Sequence, residues 1–304
     1  MERLAFFCAL ALAVGTSSCG HDVRREARAE ERSAPTASVV SSVDLALALP
    51  SAPAASASAE NDGVPPLRTG GPFIKLPVEG FGEAVVSVPE GATSPRPVVV
   101  AVHGNYNRPD SLCEAWRPVF GTDVFVLCPR GIERDDSPSL ADQRYTYDNT
   151  KDLGTEIDRA VDALKRRFNG YVDDGAMVYA GFSIGAIMGV FVTAHEPNKF
   201  PRIALVEGGI DRYVPDVLDG FAKGGGLRVL FVCGQKQCAE DAPFTVQRLE
   251  NAGVRAECIM GPPVGHRYDD AIADLLRGAL PWLLEGDARY GYDRPKLPLP
   301  TRFN

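Results

Sequence analysis

Histidine is scarce in this chain: 304 residues contain four. Any chemistry that needs an imidazole base must therefore draw on His21, His103, His195 or His266. No cysteine pair has a histidine nearby in sequence, so the spacing of a zinc site is missing. Long apolar runs are missing too. The N-terminal one, Leu4 to Val14, is 11 residues, too short to span a bilayer as a mature helix. Basic runs are limited to Lys165-Arg166-Arg167, which reads as the solvated end of a helix, and the net charge is -8. Nothing electrostatic favours a nucleic-acid partner. No internal repeat is visible.

The beginning of the chain reads as a targeting segment. Arg3 precedes the apolar stretch, and small residues follow it up to Cys19. Thr16-Ser17-Ser18-Cys19 resembles a bacterial lipoprotein cleavage box. That resemblance implies a signal over 1–19 and lipidation of Cys19. With Gly20 next, it implies an outer-membrane lipoprotein, with a periplasmic or secreted protein as the alternative. Residues 20–66 are rich in Ala, Ser, Pro and charge, with Leu45-Ala46-Leu47-Ala48-Leu49 as the apolar exception. Such a segment cannot bury a core and reads as a disordered tether. The folded domain is expected over 67–304.

Export fits the cysteines. Removing Cys8 with the signal and lipidating Cys19 leaves Cys113, Cys128, Cys233, Cys238 and Cys258. An oxidising compartment permits disulfides, and an odd number leaves one thiol over. Cys113 falls in an expected helix and Cys128 at a strand end, while Cys233 and Cys238 flank a loop. Cys113–Cys128 and Cys233–Cys238 are the expected pairs.

From about residue 72, apolar runs alternate with helical patterns. Glu83–Val88 reads as an antiparallel entry strand. Pro97–Val102, Asp123–Cys128, Met177–Ala180, Ile203–Glu207, Leu227–Cys233 and Arg255–Met260 read as buried strands. Asp110–Val119, Leu153–Phe168, Pro243–Ala252 and Ala271–Leu284 read as helices; Ile157, Val161, Leu164 and Phe168 share one face. This alternation predicts an α/β fold: a mostly parallel twisted sheet with helices on both faces. Residues 130–150 form a polar loop expected to cover the site. Tyr145 and Tyr147 either line a pocket there or pack the loop onto the sheet. Residues 285–304, with Pro295, Pro298 and Pro300, read as a surface tail.

The most informative stretch is Gly181-Phe182-Ser183-Ile184-Gly185, between the apolar run Ala176–Ala180 and the small-residue run Ala186–Phe191. Strand, sharp turn and helix with a serine at the apex describe a nucleophile elbow. A serine hydroxyl needs a base to take its proton. His266, on a short loop after the last expected strand, lies where such sheets place ligands. His195, at a helix end, is satisfied by the dipole or by solvent. His103, in a His-Gly pair at a strand end, is expected to brace its loop. A third group must orient His266, and in chain order it should lie between Ser183 and His266. Asp241 is the first candidate, with Glu240 and Glu207 as alternatives; Asp241 is equally readable as a helix N-cap. The amides of Ile184 and Asn105 are the candidate donors to a developing oxyanion.

His103-Gly104, the Ser183 pentapeptide and Gly265-His266, in this order, resemble the α/β-hydrolase family over roughly residues 72–285. The likeness is strongest to the esterase branch of dienelactone hydrolases and polyhydroxyalkanoate depolymerases. It implies an acyl-enzyme on Ser183, hydrolysed by water activated by His266. It does not fix the substrate, expected to be a small-molecule or polymeric ester, and nothing in the sequence suggests a cofactor or a metal. Relatives often carry Gly-x-x-Asp after the strand that ends at Cys233; here the stretch is Gly234-Gln235-Lys236-Gln237. A serine peptidase of the same fold and a non-catalytic binding lipoprotein remain the alternatives.

Overall fold

The structure, a computed structural model, describes residues 64–291. The signal-like segment with Cys19, most of the tether and the prolines of the tail lie outside the described residues.

Strands β1 (Phe73–Leu76), β2 (Ala84–Ser87) and β3 (Val98–Val102) lead into helix α1 (Pro109–Phe120) and strand β4 (Phe125–Cys128). A two-stranded ribbon, β5 (Ile132–Glu133) and β6 (Tyr145–Thr146), interrupts the expected polar loop. Then follow α2 (Thr150–Arg167), β7 (Val178–Phe182), α3 (Ile184–His195), β8 (Arg202–Val206), α4 (Pro215–Lys223) and β9 (Arg228–Cys233). The last elements are α5 (Lys236–Asn251), β10 (Arg255–Met260) and α6 (Asp270–Leu283).

Eight strands form one sheet in the order β1-β2-β4-β3-β7-β8-β9-β10. Pairing is antiparallel from β1 to β2 and from β2 to β4, and parallel elsewhere. The connection from β3 runs to β4 on one side, and β7 lies on the other. The carboxyl ends of β3 and β7 therefore flank a crevice where strand order reverses, the usual ligand position of open parallel sheets.

The strands alternate strictly between two cores, as a period of two requires. Val98, Val100 and Val102 join Ile157 and Leu164 of α2, Val190 of α3 and Phe221 of α4. Val99 and Ala101 face the other side, with Leu112 and Trp116 of α1 and Leu276, Leu280 and Leu283 of α6. Helices thus cover both faces. Their ends follow capping chemistry: the Asn149 side chain accepts from the Asp152 amide at 2.9 Å, and Asp269 from the Ile272 amide at 3.2 Å. Among the described residues, no helix is long and apolar enough to cross a membrane.

Most expected elements recur with shifts of a few residues at their ends. Strand β1 and helix α4 were not legible as separate elements. The largest difference is α5, which starts at Lys236, with Pro243 inside it. A proline removes one backbone donor and usually disfavours an interior position, which is why it reads in sequence as a helix start.

Cys113 and Cys128 are disulfide-bonded with Cα atoms 5.9 Å apart, as are Cys233 and Cys238 at 5.5 Å. Cys258 keeps its thiol, and burial pushes its pKa up to about 12. The first bridge ties α1 to the sheet across a loop of 15 residues. The chain-entropy model assigns a loop of that size about 3 kcal/mol. Replacing both Cys113 and Cys128 with alanine is expected to lower unfolding stability by about that amount, read by denaturant titration. Non-reducing peptide mapping of the parent should recover the 113–128 cross-link.

Candidate active site

Ser183 occupies the turn between β7 and α3 with φ 54° and ψ -117°, a conformation that non-glycine residues rarely adopt. The turn is held by backbone bonds: the Ser183 amide donates to Val206 O at 2.9 Å, and the Ile187 amide to Ser183 O at 2.9 Å. The flanking glycines are required by close approach. A Cβ on Gly181 would lie 2.7 Å from the Ala186 nitrogen, and one on Gly185 would collide with the carbonyl of Val102 and lie 2.7 Å from that of His103. The apex serine is thereby pushed out above the sheet at the crevice.

His266 follows β10, on the loop Gly261–Tyr268. That loop is tied to β9 by bonds from the Gly261 amide to Cys233 O at 2.7 Å and from the Gly265 amide to Gly234 O at 3.2 Å. His266 Nε2 lies 2.7 Å from Ser183 Oγ. The imidazole rests on the Phe182 ring, centroids 5.4 Å apart. His195 stands at the far end of α3, twelve residues beyond Ser183. A helix of that length spans about 18 Å, so His195 does not reach the serine.

The structure does not bring Asp241 or Glu240 to His266. Because α5 begins at Lys236, both are exposed on its outer face rather than in a loop. Asp241 accepts from Gln237 Nε2 at 2.9 Å, and Glu240 pairs with Lys236 at 3.0 Å. Nor is Asp241 an N-cap, since Gln235 holds that position. Glu207, the remaining alternative, lies directly after β8 with φ 55°. Its side chain is 1 % exposed, and Oε2 is 3.4 Å from His266 Nδ1. Glu207 Oε1 accepts the backbone amides of Gly234 and Gln235, the latter at 2.9 Å. The signal for this position was Gly208-Gly209. A Cβ on Gly208 would lie 2.7 Å from Ser183 O, so the turn after β8 must pack against the elbow. Gln235, not singled out in the sequence, places its amide nitrogen 2.6 Å from Glu207 Oε2 and 2.8 Å from His266 Nδ1.

The loop after β3 closes the other side. His103 is fully buried, its Nδ1 2.8 Å from Gly104 O and its Nε2 2.8 Å from Arg130 O. Burial lowers its pKa, and the two carbonyls it faces act in the opposite direction. Gly104 lies against Ser183: a Cβ there would be 3.2 Å from Ser183 Cβ. Asn105 follows on the open side, and the Ile184 amide opens α3, where first-turn N–H groups lack intrahelical partners. Ile184 thus follows Ser183 directly in the chain, and Asn105 follows the glycine that packs against it.

The segment after β4 is anchored by a second buried carboxylate that sequence reading passed over. Glu156 accepts the amides of Arg130 at 2.8 Å and Gly131 at 3.0 Å, and burial raises its pKa. Tyr147 is buried, stacks on His103 at 4.6 Å and donates to Pro129 O at 3.0 Å, so it packs the covering loop onto the sheet. Arg134 of that loop donates to Asn105 Oδ1 at 2.8 Å.

No protein-family model matches the sequence, and no curated protein matches it. Solved structures do. Est1E from Butyrivibrio proteoclasticus superposes with a TM-score of 0.51 at 13% identity, over 71% of this chain and 98% of that one. An S-formylglutathione hydrolase from Agrobacterium tumefaciens gives 0.51 at 15%, over 70% and 94%. A dienelactone hydrolase candidate from Klebsiella pneumoniae gives 0.51 at 16%, over 70% and 98%. With its parallel sheet, its switch-point crevice and its serine turn, this chain has the α/β-hydrolase fold.

Proposed function

We propose that the protein is a serine hydrolase that cleaves carboxylic esters through an acyl-enzyme on Ser183. The observation that carries this reading is the 2.7 Å contact between His266 Nε2 and the hydroxyl of a serine held in a strained elbow. In the reaction, Ser183 Oγ attacks the ester carbonyl while His266 Nε2 takes its proton. The tetrahedral oxyanion is met by the amides of Ile184 and Asn105. His266 then returns the proton to the leaving alcohol, and a water activated by the same nitrogen hydrolyses the acyl-serine. Glu207, rather than Asp241, holds and stabilises the imidazolium. A carboxylate beside the base removes the main argument for a binding protein with a degenerate site. The peptidase reading has no feature of its own to support it.

We further propose that the enzyme is exported. Two disulfides among the described residues fit an oxidising compartment, and the signal-like start of the chain fits lipidation of Cys19. Cys19→Ser is expected to move the protein from the membrane pellet to the soluble fraction. An unchanged distribution argues against a lipid anchor.

Ser183→Ala and His266→Ala are each expected to lower p-nitrophenyl ester turnover by at least about 10⁴-fold, and the double change to lose little more. Fluorophosphonate labelling should map to Ser183. Turnover within about tenfold of the parent in Ser183→Ala contradicts the nucleophile assignment.

Glu207→Gln is expected to lower turnover by about 10² to 10⁴-fold, by the loss of the anion that stabilises the imidazolium. Asp241→Asn and Glu240→Gln, both on the outer face of α5, should stay within about twofold of the parent, as surface changes away from any network do. A larger loss at Asp241 than at Glu207 returns the acid to α5.

A further inference from the structure

The acid and the base do not touch directly. Glu207 Oε2 and His266 Nδ1 are 3.4 Å apart, longer than the about 2.7–2.9 Å of a charge-assisted bond. The Gln235 amide nitrogen bridges them at 2.6 Å and 2.8 Å. The chemistry of these groups places the protons. An ionised carboxylate only accepts, so the amide atom facing Oε2 is NH₂ and not the carbonyl oxygen. One of its hydrogens goes to Glu207 and the other to His266 Nδ1. That nitrogen is then an acceptor, so the neutral ring carries its proton on Nε2 and donates it to Ser183 Oγ. General-base catalysis needs the opposite tautomer, with Nε2 bare toward the serine and Nδ1–H toward the acid. An imidazolium formed in the bridged arrangement would point Nδ1–H at another N–H donor.

We propose that Gln235 is a positioning residue that holds His266 in a resting tautomer, and that the productive pair forms when its side chain leaves the gap. This rests on the hydrolase reading above. The backbone of Gln235 is fixed, because its amide is bound to Glu207 and the Cys233–Cys238 bridge encloses it. The side chain is only half-buried, so a rotamer change that gives up its contacts to Glu207 and His266 carries the amide toward solvent. Once it is out, closing 3.4 Å to a bond takes a shift of about half an ångström. The ring tautomerises: the Nε2–H bond breaks and its proton goes to water, an Nδ1–H bond forms with a proton taken from water, and the ring stays neutral throughout the exchange. The bridge reduces the competent fraction, and apparent reactivity falls to that fraction of its intrinsic value.

The test compares the intact mature protein with Gln235→Ala, using a fluorophosphonate probe and ¹⁵N spectra of the His266 ring at a pH where it is neutral. In the parent, Nε2 should be protonated and Nδ1 bare. In Gln235→Ala the pattern should invert, and Ser183 should label about tenfold faster, as expected when roughly a tenth of the parent is competent. Nδ1 already protonated in the parent overturns the proposal. So does equal or slower labelling of the variant, or faster labelling without inversion. Inversion with no labelling of Ser183 in either protein overturns the hydrolase reading instead, and leaves the proton placement standing. Equal melting temperatures of the two proteins show that the substitution has not acted through the fold.

Discussion

The close approach of β7, α3 and the ends of β3 and β8 governs this molecule. The elbow brings backbone within contact of backbone on three sides: Gly185 against Val102 and His103, Gly181 against the start of α3, and Gly208 against Ser183 itself. No side chain fits at these points, and the serine takes a left-handed φ as a result. A strained residue persists only where its surroundings over-determine it. Here the surroundings are a sheet with both faces covered and a parallel register running from β4 to β10.

Around that constraint, buried carboxylates do the work of arranging backbone. Glu156 gathers the amides after β4, which places Arg130 O against His103, and His103 in turn holds Gly104 beside the nucleophile. Glu207 does the same for the turn after β9. Each carboxylate is removed from water and compensated by N–H donors, as burial of such a group requires. The base is treated differently: the His266 side chain is 48 % exposed while the Glu207 side chain is 1 % exposed. The His266 end of the constellation is open to solvent, and its Glu207 end is sealed.

The Cys233–Cys238 bridge and the early start of α5 belong together. The resemblance read from the sequence implies an acid after the strand that became β9. In this chain that turn is a tight disulfide-bonded start of a helix, which leaves no loop to carry Asp241 inward. The carboxylate nearest His266 is Glu207 at the end of the neighbouring strand, and the Gln235 amide lies between it and the imidazole. The covering loop is joined to the same assembly through Arg134 and Asn105, so its position and that of the oxyanion loop are linked.

Local pattern was sufficient for much of this. Alternating β-branched runs and helical stripes determined the strands and the two-sided sheet, because burial on a face imposes a period on the residues themselves. The elbow was legible because its glycines and serine are contiguous, and His266 because so few histidines compete with it. The carboxylate beside His266 was legible only as an alternative: Glu207 stood behind Asp241. Glu207, Gln235 and His266 lie on three separate loops, and only the parallel register of β8, β9 and β10 brings those loops together. Asp241 stood at the right place in chain order, yet helix α5, started by residues near a disulfide, turned it to solvent. A residue's order along the chain is written in the sequence; which of two neighbouring carboxylates faces an imidazole is decided by where a helix begins.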